Sequence, residues 1–209
     1  MKLSNLSIST FGTILGIAGI EHGIGEIFQG STIIKGHFIE SWPNSEHYKI
    51  LAGEPAFSLL LNIPYWLLGF FAILISCSFI YATVFGFKRK YGGLSLLLLN
   101  ICLLMFGAGM AGPILMGLPI VVMAFLTNTR KAQQGQKSEY MKGKKVSFYI
   151  VFFLSLFGWL MMWPGFVILS YLNLLPYNSE ILVYSVGGVS FLGFLITMII
   201  SFLHDRKVF

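Results

Sequence analysis

The stretch Ile8 to Gly30, ISTFGTILGIAGIEHGIGEIFQG, is long and apolar enough to cross a bilayer, and it is the only such stretch that also carries acids and a histidine. Lipid offers no hydrogen-bond partners to the backbone, so a continuous apolar run of this length has to be a helix. With about 100° of rotation per residue, Gly12, Gly16, Gly19, Gly23, Glu26 and Gly30 fall on one narrow stripe, which lets a second helix approach closely. His22 sits one turn before Glu26, so the two side chains can meet at i, i+4, while Glu21 points nearly opposite the stripe. Each ionisable group near the bilayer centre costs roughly 2.5 to 3.5 kcal/mol on insertion scales, less towards the edge, so these three call for a reason.

The rest of the chain fits the same solvent. Hydrophobic residues make up 56% and charged residues 11%, against about 25% charged in soluble domains. The expected fold is therefore all-α: a polytopic transmembrane helix bundle forming one membrane domain over residues 1–209. The net charge of +6 does not indicate nucleic acid, because the basic residues lie in short segments beside apolar runs and no basic, aromatic face accompanies them. Cys77 and Cys102 both lie inside apolar runs and form neither a disulfide framework nor a metal pair. Gly16-Ile17-Ala18 resembles a signal-peptidase site, but the apolar stretch before it is short and the glycine stripe continues beyond it, so an uncleaved helix is expected.

Six spans follow from run length and charge, near residues 8–29, 57–87, 92–106, 114–127, 146–171 and 181–203. The apolar run from Gly92 to Thr127 would be about 54 Å long as one helix, too much for one crossing, and GAGMAGP at Gly107 to Pro113 is the natural place for it to fold back. The same glycines spell GxGxxG, but no soluble βαβ unit surrounds them, so they read as a hairpin turn. An outer loop at 31–56 and a basic cytoplasmic loop at 128–145 complete the arrangement, with both termini cytoplasmic. All of the 14 basic residues except Lys35 and Lys49 then lie inside; a five-span reading would export the Arg130 to Lys145 cluster, against the positive-inside rule. In the outer loop, SWPNSEHYKILAG offers a short helix that Asn44 can cap and Gly53 can stop.

This topology places Glu21 and Glu26 in the outer leaflet, at depths comparable with Asn62 and Tyr65 of the second span, Trp163 of the fifth, and Tyr184, Ser185 and Ser190 of the sixth. These residues could line a polar pocket that handles a substrate or a proton. A histidine hydrogen-bonded to a carboxylate can pass a proton near neutral pH, which suits proton coupling and acid-base catalysis equally. The bland alternatives are a snorkelled acid for Glu26, a structural pair for Glu21 and His22, and headgroup anchoring for the tryptophans. Metal binding by His22, Glu26, His37 and His47 with Glu40 or Glu46 lacks any fixed ligand spacing, so no metal and no cofactor is expected. The only aspartate, Asp205, lies at the membrane face opposite His22, which leaves no Ser-His-Asp arrangement.

The sequence thus reads as a multi-pass cell-membrane protein whose outward-facing polar site serves transport or sensing of a small solute or cation. A membrane-embedded enzyme acting on a lipid-like substrate is the runner-up. A third reading is an accessory or assembly subunit whose stripe, Gly12, Gly16, Gly19 and Gly23, docks a partner helix or a second copy. Its expected partner in every case is the lipid bilayer.

Overall fold

The computed structural model describes residues 2–43, 56–128, 140–172, 174 and 179–206. The helix expected in the SWPNSEHYKILAG segment, from Asn44 on, lies outside the described residues, as does the basic loop between residues 129 and 139. Among the described residues seven α-helices carry the fold: α1 (Leu3–Phe28), α2 (Tyr65–Tyr81), α3 (Gly92–Met105), α4 (Leu118–Asn128), α5 (Tyr140–Leu160), α6 (Phe166–Tyr171) and α7 (Ser179–Arg206). Three short π-helical segments, Ala82–Gly86, Gly112–Gly117 and Met161–Gly165, adjoin them, and a two-stranded antiparallel ribbon pairs β1 (Phe38–Ile39) with β2 (Ala56–Phe57). The chain forms two compact units, an N-terminal one built from residues 8–43 and 56–128, and a C-terminal one built from residues 2–7 and 140–206.

In the N-terminal unit the glycine stripe of α1 is covered by α2 running antiparallel to it. A methyl group added at Gly12 would meet Thr83, at Gly16 Ile80, at Gly19 Ser76, and at Gly23 the carbonyl of Gly69 and the side chains of Ile73 and Ala72. Helices attract little in lipid through hydrophobicity, so this close approach, with its dense dispersion contact, is what holds the pair. α1 ends at Phe28, and Gly30 just beyond it has a φ of +62°, the left-handed conformation that terminates helices, with its N–H donating to Ile27 O at 3.0 Å. The chain then enters the ribbon, which rests on a small core of Ile34, Ile39, Ala56 and Leu68. Pro64, extended at φ −71° and ψ 146°, leads into α2.

α3 and α4 form a helical hairpin. Gly93 lies under the ring of Phe125, and Asn100 packs on Gly117 while its Nδ2 donates to Pro113 O at 3.1 Å. The turn between them is tied to the ribbon, because Gly107 N–H donates to Phe57 O at 2.9 Å and Leu59 N–H donates to Met105 O at 2.8 Å.

In the C-terminal unit, α5 packs on α7 through another set of small residues. Gly158 faces Ser190, Gly193 faces Ser155, and Ser155 Oγ donates to Ser190 O at 2.9 Å. At the end of α7, Asp205 accepts hydrogen bonds from Leu3 N–H at 3.1 Å, Ser4 N–H at 2.8 Å and Ser4 Oγ at 2.5 Å, capping the first turn of α1 where an acid is favoured.

The expectation of six spans is overturned. Among the described residues three helices are long and apolar enough to cross a membrane: Leu3–Phe28, Tyr65–Gly86 and Ile181–Asp205. The other apolar helices, Gly92–Met105, Gly112–Thr127 and Lys145–Leu160, reach only about 21 to 24 Å at ~1.5 Å per residue, short of a ~30 Å hydrocarbon core. The expected second span also starts late, because Ala56 and Phe57 belong to the ribbon. The expected fifth is interrupted as an α-helix at Met161–Gly165, where Pro164 supplies no backbone N–H.

Candidate functional site

The site is assembled on the last two turns of α1 by three pieces of chain, all in the N-terminal unit. The first is α1 itself, presenting Glu21, His22 and Glu26. Glu26 is wholly buried and Glu21 is 9% exposed, although both are ionisable. The second piece is the segment that leaves β1. Gln29 fastens it, its Nε2 donating to Glu40 O at 2.8 Å and Ser41 O at 3.0 Å. Gly25 makes room for it: an added Cβ there would strike the Ser41 carbonyl and the Trp42 indole.

Ser41 consequently sits between His22 and Glu26. Its Oγ lies 2.9 Å from His22 Nδ1 and 3.3 Å from Glu26 Oε1. The i, i+4 pair read from the sequence thus meets through a third residue. A hydroxyl has one proton, so two arrangements satisfy the chain. Either Ser41 donates to Glu26 and accepts from Nδ1–H of His22, or a protonated Glu26 donates to Ser41, which donates to Nδ1. When His22 also carries Nε2–H, the first is an imidazolium–carboxylate arrangement and the second a neutral one, and the two differ by a concerted shift of two protons that leaves every heavy atom in place.

The third piece is the turn between α3 and the Gly112–Gly117 segment. Gly107 and Gly109 adopt φ of +83° and +81°, the left-handed region that side chains disfavour. Sterics would exclude a side chain here in any case. The Glu26 carboxyl lies directly over the Gly107 Cα, and the edge of the His22 ring, Nε2 foremost, lies over Gly109. Broken backbone in a membrane protein is tolerated where it is buried in protein, and Gly107, Ala108 and Gly109 are buried.

The polar accounting is incomplete in one respect. Glu26 Oε2 and Glu21 Oε1 are buried and have no hydrogen-bond partner, and among the described residues neither acid forms an ion pair. The Trp42 indole interacts with Glu21, but outside good hydrogen-bonding geometry for Oε1. A buried carboxylate oxygen left this way costs several kcal/mol unless a proton or a cation neutralises it.

The remaining residues singled out in the sequence distribute differently. Tyr65 opens α2, half-buried and within electrostatic reach of Glu26 and Glu40. Asn62 is an exposed turn residue with φ of 60°, ahead of the helix and not inside a span. Tyr184 and Ser185 are exposed on α7 in the C-terminal unit, and the Trp163 side chain lies outside the described residues. His37 immediately precedes the ribbon, with Nδ1 at 2.9 Å from Ser58 O and its ring stacked on Phe57. Among the described residues no group of three or more His, Cys, Asp or Glu is arranged to hold a metal ion.

Ser41, Gln29, Gly25, Gly107 and Gly109 were not expected at the site. Only Gly25, a glycine beside the acids and off the stripe, carried a signal of close backbone approach.

Large apolar side chains such as Phe70, Leu74, Leu98 and Ile101 in one unit, and Phe153, Leu154, Phe157 and Ile199 in the other, stand exposed in numbers that water does not tolerate. With the apolar spans, they define a multi-pass α-helical membrane protein. Comparison with protein-family models, curated proteins and solved structures finds no match to this chain.

Proposed function

We propose that this protein transports or senses a small cation, the proton being the simplest occupant, at the cluster of Glu21, His22, Ser41 and Glu26. The observation that carries the reading is the pair of buried carboxyl oxygens without partners, next to a hydroxyl that links Glu26 to an imidazole. Ionisable groups inside a membrane-spanning helix are expensive and mark ion or proton pathways. A helix pair broken where it meets the acids is the arrangement by which many transporters build ion sites, an analogy of architecture.

The accessory-subunit reading needs an exposed Gly12 to Gly23 stripe, whereas α2 and the Ala82–Gly86 segment lie against those four glycines.

For orientation, we infer that Lys2 and Arg206 lie on the cytoplasmic side, because Asp205 caps the start of α1 and basic residues favour that side. Purified protein in liposomes, loaded with a pH-sensitive dye and challenged with proton, Na⁺ and K⁺ gradients, tests the transport form of the reading. Flux or saturable binding of one of these ions supports it, and neither flux nor binding of any of them overturns it.

A further inference from the structure

Between α2 and α3 the N-terminal unit carries an open groove of about 710 Å³, remote in sequence from the acids of α1. Its floor is small and buried, with Ala82 and Gly92, and Leu74, Tyr81 and Leu99 form its walls. At the end where the two helices turn into each other it is lined by Arg89 and Lys90. We propose that this groove binds one acyl chain of an anionic phospholipid whose phosphate is held by Arg89 and Lys90.

Length and charge both argue for that occupant. From Gly86 back to Leu74 the helix rises about 18 Å at ~1.5 Å per residue, close to the roughly 15 Å of hydrocarbon in one leaflet. The apolar length therefore ends about where a headgroup begins. Arg89 offers a planar fork suited to phosphate oxygens. The Lys90 ammonium is placed 5.3 Å over the Tyr91 ring, an aromatic of the kind that settles at headgroup level. A free anion would leave the apolar length of the groove uncovered, and a zwitterionic lipid would bring its own ammonium up to two cations. An anionic lipid satisfies both ends. The small residues of the floor matter because each larger side chain there would take the volume of the chain's methylenes. This site is independent of the ion reading, and neither depends on the other.

The test uses the full protein, stripped of lipid in mild detergent and offered equal amounts of phosphatidylglycerol and phosphatidylcholine with identical chains, retained lipid being counted by native mass spectrometry. Wild type is expected to keep phosphatidylglycerol in preference. The double variant Arg89→Gln/Lys90→Gln should retain it roughly tenfold less or weaker still. Lys88→Gln should change nothing, because Lys88 sits over the Phe87 ring and does not line the groove. Ser95→Trp, at the exposed groove wall, should abolish retention with the basic rim intact. Where that variant does not fold, Leu99→Trp serves instead. Equal retention of the two lipids by wild type, a Lys88→Gln loss matching the double variant, or full retention by a folded tryptophan variant would each overturn the proposal.

Discussion

The carboxyl group of Glu26 lies against the Cα of Gly107, so close that a single added methyl group would collide with both of its oxygens. Gly107→Ala therefore carries two penalties, about 1 to 2 kcal/mol for a side chain in the left-handed region and about 1 to 3 kcal/mol for overpacking. Gly30→Ala carries only the first, since nothing lies within 4 Å of the added atom. Thermal melts should rank Gly107→Ala well below Gly30→Ala, and Glu26→Ala should recover part of the Gly107→Ala loss. Equal losses at the two glycines would show that Glu26 does not press on the turn.

The buried stripe makes a second prediction. Gly19→Leu drives a side chain into Ser76 and should cost most of the folded protein, whereas Ile17→Leu, on a residue 43% exposed, should be mild. Yield and monodispersity in detergent read this directly. Comparable tolerance at both positions would mean that α2 does not cover α1.

Removing the bridge tests the link between the site's members. Ser41→Ala leaves His22 Nδ1 and Glu26 Oε1 without their shared partner, at a cost of about 1 to 3 kcal/mol. Gln29→Ala loosens the same segment from outside and should cost about 1 kcal/mol. A Ser41→Ala variant as stable as wild type would remove the hydroxyl from the account.

Asp205 ties orientation to stability. Asp205→Ala should lose about 0.5 to 2 kcal/mol, as a missing helix cap does. With Cys77 and Cys102 replaced, cysteines at Lys2 and Arg206 should react with an impermeant label from the same side of the membrane. Labelling from opposite sides would refute the shared face.

Much of this architecture was legible, and the failures have physical causes. Gly12 to Gly23 carry the small residues at helical spacing that close helix contact in lipid needs, and α2 with Thr83 lies against them. The turn at Gly107 to Pro113 was legible as a break, since glycine and proline disrupt any helix. The number of spans was not. Composition shows that a segment is apolar but not that its helix stops short, and Gly92–Met105 has only 14 residues. Ser41 was invisible for a different reason: its role comes from the ribbon and from Gln29, which bring a loop back over α1, and no local pattern encodes that return. The small residues that meet between α5 and α7, Ser155 and Gly158 with Ser190 and Gly193, stand at helical spacing in the sequence among large aromatic residues that obscure the pattern.

The most direct test of the ion-handling reading is ion flux or binding by Glu26→Gln, measured beside its thermal stability in the same preparation. Glutamine keeps the size of the side chain and its ability to bond Ser41, but it can neither carry a proton nor balance a cation. The account predicts a protein that melts close to wild type and has lost its flux or binding, with His22→Gln and Glu21→Gln behaving alike. A large stability loss in each single variant that is relieved when Glu21→Gln and His22→Gln are combined would identify a structural pair. Wild-type ion handling in a folded Glu26→Gln protein would contradict the account outright.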